Sequence, residues 1–231
     1  LNQFRQLVVP YFPLIGAGLA LILLEPDLGM VVVIGITALA ILFLAGAPMR
    51  FILAGSAPLI AAASVLVFVI GYKKARVIDY MASIADPLNG SYQVKQAALT
   101  LGSGGLFGTG LGDGRQKLFF LPYPHTDFIF ASAGEEIGFV GLAALLFLFF
   151  YILWRGLKIA AAQPDRFSFL LASGMVLTLF CSIAINIGVV TAMLPVTGLP
   201  LPFISYGGSS LLVNSAAVGV LLNLSRKVSR E

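Results

Sequence analysis

Long, nearly uncharged apolar runs limit the folding of this 231-residue chain more severely than any other feature. Six stand out, at about residues 7–24, 28–45, 51–72, 137–153, 167–190 and 209–224. Water does not tolerate such runs, whereas roughly 20 apolar residues in a helix match the hydrocarbon core of a bilayer. The expected fold is all-α: a polytopic membrane protein with about six transmembrane helices. Prolines soften two of the spans, Pro10 and Pro13 in the first and Pro58 in the third.

Composition agrees. Only 10% of the residues are charged, against about 25% in a soluble domain. That excludes an ordinary globular enzyme, a disordered tail and a disulfide scaffold. A net charge of +4 is usual for basic cytoplasmic ends and does not argue for nucleic acid. The single Cys181 excludes an intramolecular disulfide or a cysteine metal cluster. The first residue is Leu1 and no signal peptide follows it, so upstream sequence is expected.

Residues 1–231 form one membrane domain in this reading, with no internal repeat. Residues 73–126, polar and Gly-rich, make a long extracytoplasmic loop within it. With the N-terminal end cytoplasmic, Arg5, Arg50, Arg155, Lys158, Arg166, Arg226, Lys227 and Arg230 lie inside. Lys73, Lys74, Arg76, Lys95, Arg115 and Lys117 lie outside, in a long loop where the positive-inside rule has less force. The acids separate more cleanly: of all ten, only Asp165 and Glu231 lie inside. Both termini are therefore read as cytoplasmic.

Four places could carry chemistry. In Glu25-Pro26-Asp27, Pro26 suits the first turn of the second span and Asp27 faces its positive end; a place in a polar cavity is the other reading. Between Gly102 and Gly114 lie seven glycines, without the spacing of either nucleotide-binding motif. Composition favours a flexible connection there, and close backbone approach to a ligand is the alternative. Arg115 and Lys117 follow it, two cations that suit a phosphate or diphosphate, although basic residues at headgroup level are equally ordinary.

The third place is Pro122-Tyr123-Pro124-His125-Thr126-Asp127-Phe128, trailed by Glu135 and Glu136. Residue types alone favour Thr126 and Asp127 as caps of the following span. A carboxylate in a partly dry position can instead take a proton from a hydroxyl; one continuous helix would put Asp127 roughly 15 Å above Ile137. His125 reads as a rim residue. The fourth place is the string from Leu194 to Ser210, whose Pro195, Pro200 and Pro202 forbid a regular helix although the stretch is apolar. Irregular backbone at membrane depth must be buried in protein or line a cavity. A re-entrant segment beside a site fits, with Asn186 and Ser209 as polar neighbours, and so does a structural plug.

Taken together, His125-Thr126-Asp127-Phe128-Ile129-Phe130-Ala131, Gly134-Glu135-Glu136-Ile137-Gly138, Glu25-Pro26-Asp27-Leu28-Gly29, Gly102-Ser103-Gly104-Gly105-Leu106-Phe107-Gly108 and the string from Pro195 to Ser210 resemble the SEDS family. These are the FtsW-, RodA- and SpoVE-type bacterial membrane proteins that polymerise peptidoglycan glycan strands. The motifs run in order across essentially the whole chain, which looks like the C-terminal part of a ten-helix fold. Ser91-Tyr92-Gln93 and the stretch from Gly112 to Phe120 look more like FtsW, the division enzyme, than RodA, the elongation enzyme.

The resemblance implies a glycosyltransferase of the bacterial plasma membrane that uses lipid II and extends a growing glycan strand. Its motif aspartate is Asp127, as general base on the acceptor sugar. Arg115 and Lys117 are the candidates for the departing diphosphate, with a divalent cation compatible and no cofactor certain. Gln93, Lys95, Glu25, Asp27, Glu135, Glu136, Asn186 and Ser209 are the further residues expected around substrate. The implied partner is a class B penicillin-binding protein, the transpeptidase. Glu25 and Tyr123 depart from the family pattern, which usually has Gln and an acid there. The competing readings are a RodA-like elongation polymerase, a lipid II flippase, or a scaffold without chemistry.

Overall fold

The computed structural model describes residues 11–25, 27–50, 52–53, 56–57, 64, 74–85, 91–114 and 126–228. Among these, every regular element is helical: α1 (Tyr11–Leu24), α2 (Leu28–Leu44), α3 (Lys74–Ala85), α4 (Tyr92–Ser103), α5 (Ile129–Ala161), α6 (Arg166–Val190) and α7 (Gly208–Val228). Four of the six expected spans correspond to α1, α2, α6 and α7 to within a few residues. The third, residues 51–72, lies almost wholly outside the described residues. Three helices, α5, α6 and α7, are long and apolar enough to cross a membrane, and α1 and α2 are shorter apolar helices.

α6 is the central helix. It packs against α2, α5 and α7, while α4 lies against α5 and α1 against α2. Its small residues Ala172, Ser173, Gly174 and Gly188 are buried, so neighbouring helices approach closely without a hydrophobic drive between them in lipid. α5 shows the opposite character: Phe139, Phe147, Leu148, Phe150 and Leu157 are exposed, as a lipid-facing helix requires. The principal core joins α2, α5 and α6 to residues 199–201 through Val33, Phe128, Phe130, Ile183, Val189, Leu199 and Leu201.

One expectation is corrected and another gains detail. The polar stretch 73–126 contains α3 and α4. α4 buries Val94, Ala97 and Thr100, a helical spacing that a mean polarity hides. The span expected at 137–153 is part of a longer helix that starts at Ile129 and breaks at Gly138 (φ 66°, ψ −174°). From residue 139 to 161 the chain rises about 1.5 Å per residue, enough to cross roughly 30 Å of hydrocarbon.

Candidate active site

The break at Gly138 leaves four backbone groups without helical partners, and the Gly-rich segment satisfies them. Phe139 N–H and Val140 N–H, which would have bonded Glu135 and Glu136, donate instead to Gly105 O and Leu106 O at 2.9 and 3.1 Å. The freed carbonyls of Glu135 and Glu136 accept from Thr109 N–H and Gly110 N–H at 2.9 and 3.1 Å. This is re-satisfaction of a broken membrane helix by neighbouring backbone. Glycine is required for it: a Cβ on Gly108 (φ 80°) would fall 2.1 Å from Glu136 O, and one on Gly104 2.0 Å from Gly134 O. The flexible-connection reading of this segment is therefore overturned. It is a docked hairpin held by its own main chain.

Glu135 and Glu136 belong to that docking. Glu135 is buried, and the Glu136 carboxylate accepts from Gly112 N–H at 3.1 Å. Both are turned toward the Gly-rich segment, and Gly114 lies against their side chains.

Asp127 occupies the turn that leads into α5 and is half-buried. The capping role favoured by residue type is not what the structure shows. The N-cap is Phe128, with no side-chain cap bond. What holds this turn comes from elsewhere in the chain. The Asn186 amide of α6 donates to Asp127 O at 2.9 Å and to Leu199 O at 2.6 Å. Ser205 Oγ donates to Thr126 O at 2.6 Å and accepts from Leu201 N–H at 2.7 Å. Two carbonyl acceptors leave no choice about which end of the Asn186 amide faces them. The opposing wall is Gly198 (φ 82°), where a Cβ would lie 3.6 Å from Asp127 Oδ2.

The Pro-rich string is irregular backbone packed against protein, with Leu199, Leu201 and Pro202 buried. Phe203 adopts φ 67°, a conformation that costs a bulky residue about 1–3 kcal/mol. Such strain persists where surrounding contacts over-determine it. The N-terminus of α2 closes the other side, since a Cβ on Gly29 would meet the Leu199 side chain at 2.9 Å. Asp27 caps α2 by accepting from Met30 N–H at 3.0 Å, as its position after Pro26 suggested. An apolar cavity of about 730 Å³ opens beside the turn, lined by Ile129, Phe203, Ser205, Tyr206 and Leu211.

The remaining candidates scatter. Asn186 is only 1% exposed, and its amide bonds are to main-chain carbonyls. Glu25 is exposed at the end of α1 and Ser209 is exposed in the first turn of α7. Lys95 is exposed on α4, while Gln93 lines a separate polar cleft of about 190 Å³ with Asp79, Tyr80, Ser83 and Ser91. Arg115, Lys117 and His125 lie outside the described residues. Among the described residues no three His, Cys, Asp or Glu side chains group to hold a metal ion. Ser205 was missed at the level of sequence. Its only signal was membership of the Pro-rich string.

Comparison with known proteins accords with this architecture. A family model for FtsW, RodA and SpoVE cell cycle proteins matches residues 1–230. The stage V sporulation protein E of Bacillus subtilis is 43% identical over 98% of this chain and 62% of its own length. A probable peptidoglycan glycosyltransferase FtsW of Geobacter is 39% identical over 99% of this chain and, again, 62% of its own. The chain thus spans about three fifths of these relatives. A chain of a peptidoglycan synthase complex, described for its coordination of polymerization and crosslinking, superposes with a TM-score of 0.70 at 32% identity, covering 92% of this chain and 60% of that one. The Thermus thermophilus rod shape determining protein RodA gives a TM-score of 0.58 at 33% identity, over 90% and 53%.

Proposed function

Because this chain belongs to the family of FtsW, RodA and SpoVE cell cycle proteins, we propose that it is part of a peptidoglycan glycosyltransferase that polymerises lipid II for cell division. It is a multi-pass membrane protein. The observation that carries the reading is the placement of Asp127: a carboxylate on an irregular turn, pinned from two other elements, facing a glycine and flanked by an apolar cavity. A lipid-linked sugar needs that pairing of polar and apolar surroundings.

In the proposed step Asp127 takes the proton of the acceptor sugar 4-hydroxyl as its oxygen attacks the anomeric carbon of the donor. The bond from that carbon to the diphosphate breaks, and the lipid diphosphate leaves with the electron pair. General-base assistance of this kind contributes about 10²–10⁴-fold. Arg115 and Lys117 are the proposed counter-charges for the leaving group. A class B penicillin-binding protein is the proposed partner, in keeping with the crosslinking activity in the synthase-complex relative. Both termini of this chain are proposed to be cytoplasmic, with the Gly-rich segment and Asp127 on the outer side of the plasma membrane.

The division role is supported by FtsW relatives at 39–42% identity against 32–33% for the matching solved structures. An elongation role remains the alternative because one of those structures is RodA. Labelled lipid II supplied to the intact protein with its partner tests the chemistry. Polymer formed by the native sequence and lost by at least 100-fold in Asp127→Asn is the expected result. Polymerisation undiminished by that change removes Asp127 from the reaction. Lipid II crossing a vesicle bilayer without polymer would replace the enzyme by a flippase. These 231 residues alone are expected to be inactive.

A further inference from the structure

We propose that Asn186 and Ser205 are positioning residues for Asp127: an amide from α6 and a hydroxyl from the Pro-rich string pin the peptide units on either side of it and thereby aim its carboxylate. This rests on the general-base reading of Asp127.

The geometry is specific. Thr126 O belongs to the peptide unit before the Asp127 Cα and Asp127 O to the unit after it. Ser205 holds the first at 2.6 Å and Asn186 the second at 2.9 Å. A peptide unit is planar, so holding its carbonyl oxygen restrains the rotation of the whole unit. Two restrained units meeting at one Cα restrict where its Cβ points. Phe128, 1% exposed in the principal core, anchors the next residue.

The same two side chains also grip the wall opposite the carboxylate. Asn186 bonds Leu199 O, directly after Gly198, and Ser205 receives Leu201 N–H. Pro200 and Pro202 have no N–H to offer, so Leu201 supplies the donor in that stretch and Ser205 takes it. Carboxylate and facing wall therefore move as one unit. Ser205 does this with one hydroxyl, as donor to one segment and acceptor from the other, which Ala cannot imitate and Thr can. The contacts span 59 and 79 residues of sequence, so no local turn preference replaces them.

The test is steady-state polymerisation of labelled lipid II by the intact protein with its partner, with thermal melting measured on each variant. Ser205→Ala is expected to melt cooperatively and to lose about 10- to 100-fold in kcat with KM little changed, the range that ångström-scale misplacement of a reacting group costs. Ser205→Thr is expected to recover most of that loss. Asn186→Asp, which sets a carboxylate against two carbonyls, is expected to fall at least as far. Should Ser205→Ala fail to melt cooperatively, Ser205→Cys, of similar size with a weak donor and acceptor, is read in its place. Wild-type kcat in the Ser205 variant and in Asn186→Asp overturns the proposal, as does an equal kcat loss in Ser205→Ala and Ser205→Thr. Asp127→Asn, run alongside, keeps the two ideas apart. If it polymerises normally the general-base reading fails, whereas an inactive Asp127→Asn beside fully active Asn186 and Ser205 variants sinks the positioning role alone.

Discussion

The Gly-rich segment 104–114 and the Pro-rich segment 191–207 are both irregular, both flank α5, and are fastened by opposite means. The first gives its own main chain. Its carbonyls and N–H groups make four bonds in place of the two helical bonds lost at Gly138, and the approach is so close that two of its glycines admit no Cβ. The second is too rich in proline to offer a ladder of donors, so beyond the Leu194 N–H bond to Gly188 O it is side chains that fasten it: Asn186 from α6, Tyr80 from α3 and its own Ser205 on Thr126 O. A backbone-docked segment is rigid wherever its glycines are intact. A side-chain-docked segment depends on a few polar groups and leaves space around them.

Substitutions can break this contrast. The largest effect is expected for Gly108→Ala, where a Cβ meets backbone at 2.1 Å and φ is 80°. Overpacking and left-handed strain together should cost about 3 kcal/mol or more, read as a loss of resistance to unfolding in SDS. Gly104→Ala has the same contact at 2.0 Å with φ −69°, so about 1–3 kcal/mol is expected from sterics alone. Next comes Gly198→Ala in the other segment. Its nearest contact is 3.6 Å, and only the backbone conformation should be charged, about 1–2 kcal/mol. If Gly198→Ala destabilised more than Gly108→Ala, the distinction between the two segments would be lost.

Smaller changes sharpen it. Asp27→Ala removes the cap of α2 and should cost about 1 kcal/mol by the same unfolding measurement. Gly102→Ala lies in α4 with no atom within 4 Å of its Cβ. It should stabilise by about 0.5–1 kcal/mol, through helix preference alone. A destabilised Gly102→Ala would mean that the glycines of this region share one role, contrary to the geometry.

Much of the architecture was legible along the chain. The apolar runs anticipated α1, α2, α6 and α7 because length and hydropathy are local properties that a bilayer reads directly. Asp27 was legible as a cap, since an aspartate directly before an apolar run suits the positive end of a helix whatever surrounds it. Asp127 misled at the level of residue type. Thr-Asp before an apolar run is the pattern of a cap, yet the helix begins at Ile129 with Phe128 at its N-cap. Gly138 misled too, because a single glycine in an apolar segment is normally tolerated inside a helix. Here the Gly-rich hairpin supplies the alternative partners that make the break affordable.

What the sequence determined by itself is the helical, membrane-spanning character of the chain and the Pro-rich stretch that could not be a regular helix. Those follow from hydrocarbon excluding unpaired backbone and from proline lacking an N–H. Only the tertiary structure decided which irregular stretch docks by backbone and which by side chains, and that Asn186 and Ser205 meet at Asp127. Those contacts join residues 59 and 79 positions apart, and hydrogen bonds at that separation exist only once α5 and α6 have packed.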